Sequence, residues 1–61
     1  MAKIGAAIKK LVMIAKRNGT NAVRELAENP RAAVEREIGR RLTEQEYDYV
    51  LRELRNLGII R

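Results

Sequence analysis

The sequence predicts an all-α fold, a compact bundle of four short helices forming one domain over residues 1–61. Apolar residues recur at the three-to-four-residue spacing of amphipathic helices, and no run alternates β-branched or aromatic residues with polar ones as a half-buried strand does. Residues that end helices, at Gly19, at Asn29 and Pro30 and at Gly39, divide the chain into short segments. Because isolated helices of this length are marginal in water, we expect them to pack on one another.

The first segment, from Lys3 to Asn18, separates an apolar face from a cationic one. At 100° per residue its apolar side chains fall within an arc of about 160°. These side chains are Ile4, Ala7, Ile8, Leu11, Val12, Ile14 and Ala15. Met13 is the exception, since it lies among the cations. Gly19 is predicted to end this helix, and Thr20 or Asn21 to cap the next.

The second and third helices meet at a proline. The second is predicted from Asn21 to Glu28, with Ala22, Val23, Leu26 and Ala27 on its apolar face. Asn29 is a favoured N-terminal cap and Pro30 fits the first helical position, so together they predict a new helix start. Val34 and Ile38, with Ala33 and Leu42, are predicted to form the apolar side of the third helix. Gly39 is predicted to end that helix, with a helix running through to Arg41 as the alternative.

The fourth helix has the clearest start signal. Thr43 and Glu46 have the spacing of a capping box, and Leu42 before the cap is placed to pack on Tyr47 as a hydrophobic staple. Gly58 is predicted to stop the helix, and the following Ile59 to fold back on its last turn. The expected core residues of this helix are Tyr47, Val50, Leu51, Leu54 and Leu57.

Composition excludes most catalytic chemistry. The chain has no Cys, His or Ser, so neither a thiolate or imidazole metal site nor the usual nucleophile with an imidazole base can be assembled. Carboxylates on helix surfaces are more often solvated than catalytic. We therefore expect no enzymatic activity, no metal and no cofactor. The longest apolar run, Leu11 to Ala15, is too short for a membrane span.

The net charge of +5 is concentrated near the start of the chain. Residues 1–24 contain no acid, whereas residues 25–61 carry seven Arg against eight acids. Such asymmetry favours an anionic partner, and bacterial membrane lipid is the first hypothesis. The cations expected to contact lipid are Lys3, Lys9, Lys10, Lys16, Arg17 and Arg24. The apolar residues expected to insert as the helices open are Ile4, Ile8, Leu11 and Val12.

Two alternatives stay open. A small helix-turn-helix or winged-helix-like regulator would bind nucleic acid, because Arg makes bidentate contacts with phosphates and base edges. Its candidate DNA-binding residues are Arg31, Arg36, Arg40, Arg41, Arg52 and Arg55. Neighbouring acids such as Asp48 and Glu53 oppose phosphate binding on the last helix. The second alternative is a structural or interaction module whose charges only keep it in solution. Such a module could form a homo-oligomer.

Two stretches resemble a known family. "AKRNGTNAVRELAEN" (residues 15–29) and "DYVLRELRNLGIIR" (residues 48–61) are similar to the first helix turn and the C-terminal helix of leaderless bacteriocins of the aureocin and lacticin type. The resemblance implies a saposin-like four-helix bundle that permeabilises membranes of Gram-positive bacteria. It also implies secretion without a cleaved signal peptide, with a cytoplasmic location as the alternative. Where that family has Trp, the aromatic residues here are Tyr47 and Tyr49.

Overall fold

The computed structural model describes residues 2–61, and this range forms four α-helices and no strand. The helices are α1 (Ala2–Asn18), α2 (Thr20–Glu28), α3 (Pro30–Ile38) and α4 (Glu44–Asn56). The described residues form a compact body of 28 × 23 × 18 Å with a radius of gyration of 10.4 Å. The predicted all-α bundle of four short helices is therefore confirmed.

The longest helix, α1, is the centre of the packing and contacts each of the other three helices. Its apolar arc supplies half of the buried apolar side chains among the described residues. Those from α1 are Ile4, Ala7, Ile8, Val12 and Ala15. The other helices contribute Leu26, Val34, Val50 and Leu54, with Leu42 from the connection before α4. No polar or charged side chain in residues 2–61 is buried, so the core is held by apolar packing.

The junction between α1 and α2 differs from the prediction. Gly19, with φ of +111°, occupies the N-terminal cap of α2, and Thr20 is already the first helical residue. No side chain caps this helix, so the predicted cap at Thr20 or Asn21 was wrong. The physical reason is the tightness of the turn. One residue of positive φ joins the two helices, and glycine adopts this conformation without a steric penalty.

The α2–α3 junction follows the prediction in its backbone. Pro30 is the first residue of α3, where its missing N–H costs no helical hydrogen bond, and Asn29 precedes it as the cap residue. The Asn29 side chain makes no capping hydrogen bond. At the other end, Gly39 has φ of +78° and its amide donates to the Glu35 carbonyl at 2.9 Å. Gly39 therefore ends α3 as predicted.

Both ends of α4 are as predicted. The Thr43 hydroxyl accepts the Glu46 amide proton at 3.2 Å, and the Glu46 carboxylate accepts from the Thr43 amide at 2.9 Å. These two bonds are the reciprocal pair of a capping box. At the C-terminus, Gly58 has φ of +78° and the Ile59 amide donates to the Leu54 carbonyl at 2.9 Å. This is the backbone bond of a Schellman closure.

Two residues assigned to apolar faces lie near the surface instead. Ile14 and Leu57 are each 42% exposed. Leu57 is the C-cap residue of α4, one position beyond its last helical residue, Asn56. Ile14 is at the edge of the α1 arc, beside a groove. The expectation that Leu57 belongs to the core was wrong, whereas Val50 and Leu54 are fully buried.

Candidate cationic surface on helix α1

The solvent-facing side of α1 is a cationic surface with an apolar centre. At 100° per residue, Met13 lies near the middle of the exposed arc, with Lys9 and Lys16 on one side of it and Lys10 and Arg17 on the other. Met13 is 63% exposed, more than any other large apolar side chain in residues 2–61. We call the exposed side chains of Lys9, Met13, Lys16 and Arg17 the cationic face.

All six predicted lipid-contacting cations are exposed. They are Lys3, Lys9, Lys10, Lys16, Arg17 and Arg24. Lys10 forms an ion pair with Glu37 of α3, with 3.0 Å between the Nζ and Oε2 atoms. Within residues 2–61, the other five have no carboxylate within 4 Å. Their charge is therefore available to an external anion.

The four residues predicted to insert into lipid occupy different surroundings. Ile4 is 2% exposed, Ile8 1% and Val12 6%, so all three belong to the core of the closed bundle. Leu11 is half-buried and packs at the edge of that core. The apolar arc of α1 cannot pack on the other helices and contact lipid at the same time, and in the closed bundle it packs on the helices. Contact between these three core residues and lipid therefore requires the bundle to open.

An apolar groove lies between α1, α2 and α3. It has a volume of about 390 Å³ and is open to solvent. Its apolar lining consists of Leu11, Ile14 and Ala15 of α1, Ala22 and Leu26 of α2, and Ala32 and Ala33 of α3. Its polar lining consists of Asn18, Glu25, Glu28, Asn29 and Arg36. The sequence pattern did not indicate this groove, because it depends on how the three helices cross.

Two of the six arginines proposed for nucleic acid make ion pairs within the bundle instead. Arg31 donates to Glu35 at 3.3 Å and to the Leu42 carbonyl at 3.2 Å. Its guanidinium also lies 5.0 Å from the centroid of the Tyr47 ring, within the range of a cation–π contact. The second is Arg40, which binds Glu46 through two hydrogen bonds. The other four are exposed and, within residues 2–61, have no carboxylate within 4 Å, namely Arg36, Arg41, Arg52 and Arg55.

These contacts shift the acid–base properties of the paired groups. The Arg40 guanidinium, together with the Thr43 amide, lowers the pKa of Glu46 to about 2. The same bond raises the pKa of Arg40. The Leu42 amide donates to Glu35 at 2.8 Å and lowers the pKa of that carboxyl. Partial burial acts to raise this pKa, and Arg31 acts to lower it further. Both carboxylates are thus committed to internal bonds.

In residues 2–61, no three acids come together in a geometry that would hold a metal ion. None of the four helices has the length and apolar character that crossing a bilayer requires. A scan against protein-family models and searches of curated proteins and of solved structures returned no match.

Proposed function

We propose that this protein binds anionic membrane surfaces through the cationic face of α1. The observation that carries the proposal is the exposed arc of Lys9, Lys16 and Arg17 around Met13, on a helix without a single acid. Amphipathic helices that lie on membranes combine a lysine- and arginine-rich polar face with an apolar face that enters the headgroup boundary. In the closed bundle the apolar face of α1 is in the core, and Met13 is the large apolar side chain exposed among the cations.

The first step is electrostatic. Each Lys or Arg near an anionic bilayer contributes about 1 kcal/mol of attraction, and this attraction falls off within a Debye length of about 8 Å at physiological salt. A bundle that approaches with α1 first brings several cations within that distance together. Met13 then enters the interface, where its flexible thioether side chain adapts to irregular apolar surroundings. Binding of this kind leaves the core intact.

The second step of the proposal is permeabilisation of bacterial membranes, as the resemblance to leaderless bacteriocins implies. Ile4, Ile8 and Val12 would then leave the core and insert as the helices separate. Two features support such opening. A chain of 61 residues has a small core and therefore a thin margin of stability, and that core contains no buried polar group in residues 2–61 that would oppose transfer into lipid. An antimicrobial protein of this kind acts outside the cell that makes it.

Vesicle binding tests the first step. The test variant changes Lys9, Lys16 and Arg17 to Gln, and the control variant changes Arg41, Arg52 and Arg55 to Gln. The two variants have the same net charge, and all six side chains are exposed, so neither disturbs the core. We expect the test variant to lose about 3 kcal/mol of binding to phosphatidylglycerol vesicles, roughly a hundredfold. The control variant should bind much closer to the native protein.

Equal losses in the two variants would show that net charge, not the face of α1, determines binding. Native protein that fails to cosediment with anionic vesicles at low salt would exclude the proposal outright. Dye release from the same vesicles tests the second step separately. A mobility shift with duplex DNA on the same preparation identifies the nucleic-acid alternative, which predicts steeply salt-dependent retardation that the control variant loses.

A further inference from the structure

The apolar groove and the cationic face of the same chain have opposite charge. The groove has an apolar floor and exposed acids, Glu25 and Glu28, one helical turn apart on α2. Neither acid has a cation within 4 Å in residues 2–61. Arg36 lies on the α3 wall, so the charged lining carries two negative charges against one positive. An anionic ligand would therefore meet net repulsion there.

The cationic face has the complementary character. Its apolar centre, Met13, projects from the bundle, and Lys16 and Arg17 follow it by three and four residues on the same side of the helix. Methionine is the apolar side chain best suited to fill an irregular groove, because it is unbranched and flexible. The acids of the groove and the cations of α1 are the matching charges.

We propose that the groove is the docking site for the cationic face of a second copy of this chain. Met13 of one copy lies on the floor formed by Leu11, Ile14 and Leu26 of its neighbour, while Lys16 and Arg17 reach Glu25 and Glu28. A contact between two different surfaces is head-to-tail, so it extends into chains of copies or closes into a ring. The proposal goes beyond lipid binding and does not depend on it.

The arrangement has a consequence for the membrane surface. The same α1 face serves both the second copy and the anionic lipid, so the two compete for it. Self-association in solution would cover the exposed Met13 and shield part of the groove. Small domains with a limited core often gain stability by associating in this way. Arrival at an anionic bilayer would release single bundles from the assembly.

Sedimentation equilibrium in lipid-free buffer tests the proposal over a concentration series. For the native chain we expect an average mass above 7.0 kDa that rises with protein concentration and falls as salt is added. Two charge-reversed variants follow, E25K/E28K in the groove and K16E/R17E on the cationic face. Each should sediment as a monomer alone. Mixed together they should associate again, because the reversed groove of one then matches the reversed face of the other.

Matched controls separate this contact from a general charge effect. D48K/E53K has the same net charge as the groove variant, and R52E/R55E has that of the face variant, so both should associate like the native chain. Circular dichroism verifies folding of every variant. A native chain that is monomeric at all concentrations overturns the proposal. So do controls that dissociate as fully as the test variants, or mixed variants that stay monomeric. Vesicle binding of the native chain is measured separately, so a failure of self-association would leave the proposed lipid binding standing.

Discussion

The guanidinium of Arg40 holds the carboxylate of Glu46 by two hydrogen bonds, of 2.9 Å and 2.7 Å. Bidentate pairs of this kind are stronger and more specific than single contacts. The same carboxylate accepts the Thr43 amide proton and so completes the capping box of α4. The Glu46 side chain thus joins the loop after α3 to the first turn of α4. Its negative charge strengthens both the pair with Arg40 and the hydrogen bond from the Thr43 amide.

This double use predicts an acid-sensitive component of stability. The pKa of Glu46 is about 2 in the folded chain, below the ordinary glutamate value of 4.5. A carboxyl whose pKa is depressed by folding stabilises the folded state above its unfolded-state pKa, and this contribution is lost as pH falls towards the folded-state pKa. We therefore expect the free energy of unfolding, measured with urea, to decline between about pH 5 and pH 2.

The substitution Glu46→Gln isolates this effect. Glutamine can still accept the Thr43 amide proton in the capping box, but it carries no charge and does not titrate. The variant should be less stable than the native chain at pH 7 and should approach it near pH 2. The control is Glu44→Gln, in the same helical turn. Its side chain is 86% exposed, and its pair with Arg31, at 3.8 Å, is a solvent-screened contact that contributes little to stability. An acid decline of undiminished slope in Glu46→Gln would contradict the assignment.

The helix boundaries could be predicted from the sequence because local chemistry determines them. Gly39 and Gly58 adopt positive φ, Pro30 occupies the first position of α3, and Thr43 caps α4. Each of these signals acts through its own backbone within a few residues. The helix α2 begins one residue before the predicted Asn21, because Thr20, which has the side chain of a cap, is already helical. The single-residue turn left Gly19 as the only residue between the helices.

The surface contacts could not be predicted in the same way. Lys10 and Glu37 are 27 residues apart and meet only because α1 packs against α3. Ile14 and Leu11 lie on the predicted apolar arc, but whether that edge is covered depends on where α2 and α3 cross α1. Periodicity specifies which face of a helix is apolar, whereas the crossing geometry decides how much of it is buried. The six cations were predicted as exposed because no core position tolerates an unpaired charge.

A second prediction concerns the caps of α4 and α2. Thr43→Ala removes the hydroxyl that accepts the Glu46 amide proton, and we expect it to lower the free energy of unfolding by about 1 kcal/mol. Thr20→Ala is the control. Thr20 is exposed and is the first helical residue of α2, and no side chain caps that helix. Its replacement should change stability by less than about 0.5 kcal/mol. Equal losses would mean that Thr20 has a capping role after all.

Core stability should also control membrane leakage, if permeabilisation proceeds by opening. Val34 is fully buried between the helices, and Val34→Ala should lower the free energy of unfolding by about 1 to 3 kcal/mol. The cationic face is untouched, so vesicle binding should stay as in the native protein. The rate of dye release should rise, because exposure of Ile4 and Ile8 then requires less free energy.

Thr43→Ala offers a check from outside the core. It destabilises the bundle through a cap and leaves no cavity, so it should raise the rate of dye release in proportion to its smaller loss of stability. Two destabilised variants with native release rates would indicate that the closed bundle acts on lipid from its surface. In that case Met13 and the cations around it account for the whole activity.

The last prediction concerns a close approach between α1 and α4. A Cβ placed on Gly5 would lie 3.0 Å from the hydroxyl oxygen of Tyr49. Gly5 is in the interior of α1, where alanine is favoured over glycine by about 0.5 to 1 kcal/mol. The contact opposes this gain, so we expect Gly5→Ala to stabilise the native chain by less than this amount, or to destabilise it.

The Tyr49→Phe background removes the opposing atom. No hydrogen bond of the Tyr49 hydroxyl is found in residues 2–61, so this background should itself be close to native in stability. There Gly5→Ala should recover the full helical gain, and a double-mutant cycle should give a coupling of at least about 0.5 kcal/mol. The Tyr47→Phe background is the control, since it alters the same helix away from Gly5. Equal effects of Gly5→Ala in all three backgrounds would show that the α1–α4 spacing does not depend on this contact.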